Sequence, residues 1–326
     1  IEHLSETGGY FDTDNLISNE KSYLHVVPAL RQSGLSGGAY VGVGPDQNFS
    51  YIAQLKPSVA FIIDIRRDNL LLQLLFKALF QLSRTRVEYL GLLVGRPVPS
   101  NLEPWRRANV DRIVTYIDDA PSSTPEEVRA LRARVDAAIR AFGVPLSEGD
   151  VAAIDRFHRT FISRGLPLKF ETTGRAARPY YPTLRELLLE TDREGHRWSY
   201  LASEDDFQFV RALEQRDLVI PVVGNLAGPH ALVEIGKLMT ARGDTLSAFY
   251  TSNVEDYLFR DGTFPKFVDN VSRLPRTGRS LIIRSVFSGG FGSLPYSMPG
   301  YASASLVQPV DELLNGRFGS YRQLVR

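Results

Sequence analysis

The hydrophobic positions along the chain fall into two rhythms. Five short runs are apolar nearly throughout: Ala39–Val43, Ser58–Ile65, Leu218–Val223, Thr245–Tyr250 and Ser280–Phe287. Such runs predict strands covered on both faces, as in a parallel sheet. Between them apolar residues recur every three to four positions, the spacing of a helix that packs by one face. Tyr23, Val26, Val27 and Leu30 define one such helix, capped by Ser18 or Asn19 and reaching about Gln32. Pro28 is where it kinks or stops. Asp46–Leu55 predicts a second helix with Asp46 as its cap, and a leucine-rich one opens at Asp68 and ends near Leu82. Residues 40–82 are therefore β-α-β-α, with a right-handed connection.

Strand-like runs become scarce from 84 to 215, where one helical stretch follows another. Thr124, Ser147, Thr183 and Ser203 each stand where a side-chain oxygen can accept an orphan first-turn amide. The strand–helix alternation resumes after 216, with helices at Pro229–Arg242, Phe264–Arg273 and Pro309–Asn315. A Gly-, Ser- and Pro-rich loop is expected over Ser288–Ser303, and a final short stretch at Tyr321–Val325. The expected fold is α/β: one doubly wound, mostly parallel, Rossmann-like sheet with a large helical insertion between strands 2 and 3. An N-terminal arm and the first half of the sheet domain occupy 1–83. The insertion, or cap, takes 84–215, and the second half of the sheet domain 216–326.

Composition narrows the picture only slightly. Of 326 residues 43% are hydrophobic and 23% charged, ordinary values for a globular protein. A net charge of +1 gives no strong nucleic-acid signal. The lack of cysteine excludes disulfides, thiol nucleophiles and cysteine–zinc sites. The most apolar stretch, Leu70–Phe80, is broken by Gln73 and Lys77 and is shorter than the about 20 residues that span a bilayer. No membrane span is expected, and the expected location is cytoplasmic. The chain opens on Ile1, which leaves an upstream initiator or signal segment open, and it does not reveal an oligomeric state. His3, His25, His158, His196 and His230 show no metal-ligand spacing, so no metal site is expected.

The chemistry concentrates in residues 41–68, VGVGPDQNFSYIAQLKPSVAFIIDIRRD. Gly42 and Gly44 let a ligand approach the backbone, and the helix that follows offers free amides. Asp64 ends the next strand, where a carboxylate can accept ribose hydroxyls. The dinucleotide fingerprint needs a third glycine at the position of Gln47. Asp46 would also set a negative charge beside a pyrophosphate, whereas a cationic sulfonium tolerates it. A phosphate-cradling GxxxxGK[ST] run is missing.

The run VGVGPDQNFSYI…FIIDIRRDN resembles motif I and the acidic loop of class I S-adenosylmethionine (SAM)-dependent methyltransferases. It is most similar to a bacterial family of no established activity that keeps it together with FDTDNLISNE and AFYTSNVEDYLF. The resemblance implies SAM as cofactor, with Gly42 and Gly44 under the methionine moiety and Asp64 on the ribose. It implies Gly224, Asn225 and Leu226 near adenine, Tyr250, Ser252 and Asn253 facing the reacting methyl, and a small molecule as its acceptor. The chain departs from the pattern in three places. Asp46 replaces the third glycine of GxGxG, the helical stretch intervenes between strands 2 and 3, and no closing hairpin is legible after Phe287.

Further residues carry two readings each. Arg66 and Arg67 anchor a ligand carboxylate or pair with local acids. Tyr250, Glu255 and Asp256 are acid–base groups, or Ser252 and Asn253 merely cap the next turn. Asp12, Asp14 and Asn15 bind a cation, fold over a cofactor, or cap a helix. Arg175, Arg178, Tyr180 and Tyr181 close over an anionic or aromatic substrate, or stay solvated. His25 and His230 reach the site or are structural. Trp105, Trp198, Phe157 and Phe161 fit the core of the helical region. Three function classes follow: a SAM-dependent alkyl transferase, an NAD-dependent oxidoreductase, and a non-catalytic ligand-binding protein on the same fold.

Overall fold

All five expected strands form, because each is an apolar run with turn residues at its ends. They are β1 (Ala39–Gly42), β2 (Val59–Asp64), β3 (Val219–Val223), β4 (Leu246–Ser252) and β5 (Arg276–Phe287). The computed structural model describes residues 1–326 apart from 12, 14, 173–177 and 288–295. A sixth strand, β6 (Ser303–Pro309), completes a sheet of order β3-β2-β1-β4-β5-β6. The first five strands are parallel and β6 is antiparallel to β5. This mostly parallel mixed sheet has the order of a Rossmann-like fold. Every residue of β1 is buried, as are the first five of β2, so both sheet faces are covered.

Helices α1 (Val27–Gln32), α2 (Gln47–Leu55) and α3 (Arg67–Leu82) flank the first two strands. Between β2 and β3 the chain then forms α4 (Arg86–Val94), α5 (Glu103–Arg106), α6 (Val110–Asp119), α7 (Pro125–Ala141), α8 (Glu148–Arg164), α9 (Leu184–Leu188) and α10 (Glu204–Gln215). The hydroxyls of Thr124, Ser147, Thr183 and Ser203 cap α7, α8, α9 and α10 as their spacing requires. This helical stretch shares the core of the sheet: α3 touches β2 and β3 as well as α7 and α8. Phe157 and Phe161 are buried there, whereas Trp105 and Trp198 are half-buried against it. After β3 come α11 (Ala231–Arg242), α12 (Val254–Arg260), α13 (Phe264–Ser272), α14 (Val310–Asn315) and α15 (Tyr321–Leu324). Among the described residues no helix is long and apolar enough to cross a membrane.

Four local expectations change. The first helix is a 3₁₀ turn over Lys21–Val26 followed by α1, with Pro28 in the first turn of α1. A missing amide costs nothing there. Asp46 does not cap α2 with its side chain. Residues 254–260, where no helix is expected from the pattern, are helical. The closing strand β6 escapes sequence reading because SASLVQP carries small polar residues rather than a β-branched run. Its serines are buried against β5 and the 3₁₀ turn, where Ser303 and Ser305 bond the Ser22 hydroxyl.

Candidate functional site

Parallel register brings the carboxyl ends of β1 to β5 to one edge of the sheet. The order reverses between β1 and β4, so the connections leaving them diverge and open a crevice. A cavity of about 910 Å³ lies there. Of the residues read from sequence, Gly44, Asp64, Arg66, Gly224, Asn225, Leu226, Ser252, Asn253 and Asp256 line it, as do Asn15, Arg178, Tyr180 and Tyr181. Gly42, Asp46, Tyr250 and Glu255 lie outside that lining.

The glycine turn is held from behind by one side chain. The buried Asn48 amide donates to the carbonyls of Val43 (2.9 Å), Gly44 (3.3 Å) and Pro45 (2.8 Å), and its oxygen accepts from the Tyr40 hydroxyl (2.8 Å). Gln73 of α3 adds a bond to the Gly44 carbonyl at 3.2 Å. Gly44 has φ +85°, a conformation that favours glycine, and its missing Cβ leaves the backbone open beside Gln47 and Asn15. Gly42 has a different task. A Cβ there would overlap Asn48 Oδ1 and the Tyr40 hydroxyl. Gly42→Ala is therefore expected to cost about 1–3 kcal/mol through overpacking. Denaturant unfolding would show this, and an unchanged midpoint would refute it.

Asp46 points inward instead of toward the cavity, where its Oδ2 accepts from the Tyr200 hydroxyl at 3.2 Å. A charge argument that places Asp46 beside a ligand therefore fails. Burial pushes its carboxyl from 3.8 up to about 6, against the hydrogen bonds from Tyr200 and the local backbone. The folded protein thus binds this proton more tightly than the unfolded chain does. The resulting stabilisation is full below the unfolded pKa of 3.8 and is lost as pH rises through about 6. Asp46→Asn should remove that loss. The difference in Tm between variant and wild type is expected to grow in the variant's favour across this window and then level off. A difference that ignores pH would contradict the assignment.

At the end of β2, Asp64 is gripped by Arg66. Oδ1 accepts from the Arg66 amide (2.9 Å) and Nε (3.1 Å), and Oδ2 from Nη2 (3.1 Å). Arg66 also donates to the Thr13 carbonyl at 3.0 Å, tying in the N-terminal arm. A carboxylate offers about four acceptor positions, so Asp64 keeps one for a ligand on Oδ2. Arg67 turns away and pairs with Asp150 of α8 at 2.8 Å.

The loop after β3 is shaped by the arm as well. Gly224 donates to the Asp64 carbonyl (2.8 Å), and a Cβ on it would overlap Ala231. Glu6 accepts from the Asn225 amide (2.7 Å), the Asn225 side chain accepts from the Ala227 amide (2.9 Å), and the Leu226 carbonyl accepts from Asn270 (2.9 Å).

The same cavity is lined by a carboxyl that the sequence did not disclose. Glu20 is 1% exposed yet lines the cavity. It accepts from the hydroxyls of Tyr250 and Ser252 and from Ser285 at 2.5 Å. Among the described residues no basic side chain pairs with it. Burial pushes its carboxyl above the ordinary range, and the hydroxyls of Ser252, Ser285 and Tyr250 draw it partly back. Ser252 reaches Glu20 from a left-handed backbone, φ +54°, at the end of β4. Tyr250 is fully buried behind Glu20 and accepts from Gln47 Nε2 at 3.2 Å, so Glu20, Tyr250 and Gln47 form one chain back to the start of α2. A signal existed in SLIIRSVF: Arg284 and Ser285 interrupt an apolar strand, and buried polar groups require partners. Arg284 takes Glu255, at 2.5 Å with both side chains 0% exposed.

Aromatic residues from separate segments line the cavity, among them Phe11, Tyr181, Tyr257, Phe287 and Tyr321. Thr13 bridges Thr172, joining the arm to the loop that carries Tyr180 and Tyr181. Arg178 donates to the Tyr180 hydroxyl at 2.8 Å. Asp12, Asp14 and Arg175 lie outside the described residues. His25 and His230 do not line the cavity. His25 packs on Tyr301 with its pKa lowered to about 4, chiefly by burial, and His230 Nε2 meets the His3 carbonyl at 2.9 Å. Among the described residues no group of three or more His, Asp or Glu is placed to hold a metal ion.

A family model described as a domain of unknown function, DUF7790, matches residues 15–315. The chain belongs to the DUF7790 family. The match takes in every strand of the sheet and begins at Asn15, so Glu20, Asp64 and the glycine turn all fall inside the DUF7790 domain. No curated protein matches the chain.

Proposed function

We propose that this cavity binds S-adenosylmethionine and serves alkyl transfer to a small acceptor. The supporting observation is the shared opening of Gly44, Asp64 and Glu20 into one cavity at the reversal of strand order. Its size falls within the range of cofactor and ligand sites. Gly44 would lie under the methionine moiety, Asp64 would offer its remaining acceptor position to the ribose, and Gly224 to Leu226 would border the adenine. Bound there, the sulfonium would supply an electrophilic carbon. The protein's part is positioning: it holds the acceptor in line and keeps water out. Glu20, linked through Tyr250 to Gln47 at the start of α2, makes that wall acidic. The dinucleotide fingerprint's third glycine is replaced by Gln47, which favours SAM over NAD. Calorimetry with SAM, S-adenosylhomocysteine and NAD tests the reading. Binding of the first two without NAD is expected. If neither SAM nor its product binds at millimolar concentration, the proposal falls.

A further inference from the structure

The half of the cavity over β4 and β5 is chemically distinct from the half over β2 and β3. Its floor is Glu20, with Ser252 beside it and Ser285 beneath. Phe287 follows Ser285 by two residues on β5 and so shares its side of the sheet. Tyr321 donates its hydroxyl to the Ser285 carbonyl at 2.9 Å, which sets its ring against the same strand. Phe11 packs edge to face on Tyr257 at 5.1 Å, and the Tyr257 ring already holds the Arg260 guanidinium at 5.3 Å from its centre. A buried carboxyl with hydroxyl donors only is short of positive charge, and aromatic faces attract cations.

We propose that this half receives an amine acceptor, with Glu20 as the group that binds its ammonium and takes its proton. The inference rests on the SAM reading for the amine's role as acceptor, while the binding preference stands on the cavity alone. Three hydroxyl donors leave Glu20 one of its about four acceptor positions, on Oε1, and an ammonium supplies both a donor and a charge for it. In the proton step the ammonium N–H bond breaks, its electron pair stays on nitrogen, and the proton passes to a Glu20 oxygen. A neutral amine with a free lone pair remains beside a protonated carboxyl. An alcohol of the same shape would bring a donor without the charge.

The experiment compares matched probes on the full chain: phenethylamine against phenethyl alcohol, and butylamine against butanol, titrated by calorimetry with and without S-adenosylhomocysteine. Each amine is expected to bind roughly tenfold or more tightly than its alcohol, the size of one charge-assisted hydrogen bond. Glu20→Gln should abolish that preference and leave S-adenosylhomocysteine affinity unchanged, while Glu20→Asp retains part of it. Thermal melts check that both variants fold, and the wild-type comparison needs no variant. Equal binding of amine and alcohol, binding of neither, or a preference that survives Glu20→Gln would overturn the inference. A loss of S-adenosylhomocysteine affinity in Glu20→Gln would place Glu20 under the cofactor and overturn it too. A clear amine preference without any cofactor binding would support the Glu20 assignment and sink the SAM reading instead.

Discussion

Glu255→Ala is expected to destabilise the protein by about 3–5 kcal/mol, because it strands a buried cation. Arg284 and Glu255 are both 0% exposed, with Nε 2.5 Å from Oε2. Arg284 also donates to Gln308, and Thr251 donates to Glu255 at 3.2 Å. Truncating the glutamate leaves the guanidinium without its counter-charge in the interior and beyond the reach of water. Replacing the pair together, Glu255→Leu with Arg284→Met, should recover most of the loss, since a buried ion pair is often no better than an apolar pair of similar volume. Urea unfolding of both variants measures this, provided the slope stays constant. A single variant that loses less than about 1 kcal/mol would remove the ion pair from the account of the fold. The same measurement bears on chemistry. Glu255 looked like an acid–base group in YTSNVEDYLF, yet it is consumed by Arg284 beneath the cavity.

If the cavity binds SAM as proposed, Asp64→Asn should weaken that binding roughly ten- to a hundredfold, the range of one charge-assisted hydrogen bond. Asparagine keeps the volume and one acceptor oxygen, so Arg66 retains part of its grip. The charge that strengthens a bond to a ribose hydroxyl is lost. Calorimetry of wild type and variant, with melts to confirm folding, separates this from general damage. Unchanged SAM affinity would mean that Asp64 serves Arg66 alone. The variant then distinguishes a cofactor site from a structural Asp64–Arg66 clasp, two readings that a sequence cannot tell apart.

The sites differ in how far local pattern reveals them. Gly44 and Asp64 were legible because each is tied to a strand end: the apolar run dictates where the strand stops, and the turn chemistry follows. Gly42 was legible as a glycine but not for its reason. The steric demand comes from Asn48, a helix residue whose amide gathers three carbonyls. Asp46 was assigned to a ligand on charge alone, and the burial of Tyr200 in the same core turned it inward. Glu20 was invisible because SNE reads as helix-capping chemistry, and its partners lie up to 265 residues away.

By itself the sequence determined the five parallel strands, the caps of α7 to α10 and the glycine turn before an acid-ended strand. These depend on residues a few positions apart, where period and capping chemistry act directly. Tertiary structure alone decided that β6 pairs with β5, that Arg284 takes Glu255, and that Glu20 meets Ser252 and Ser285 at the cavity floor. Those outcomes follow from burial: once the sheet excludes water, each polar group must take whichever partner the fold brings within reach.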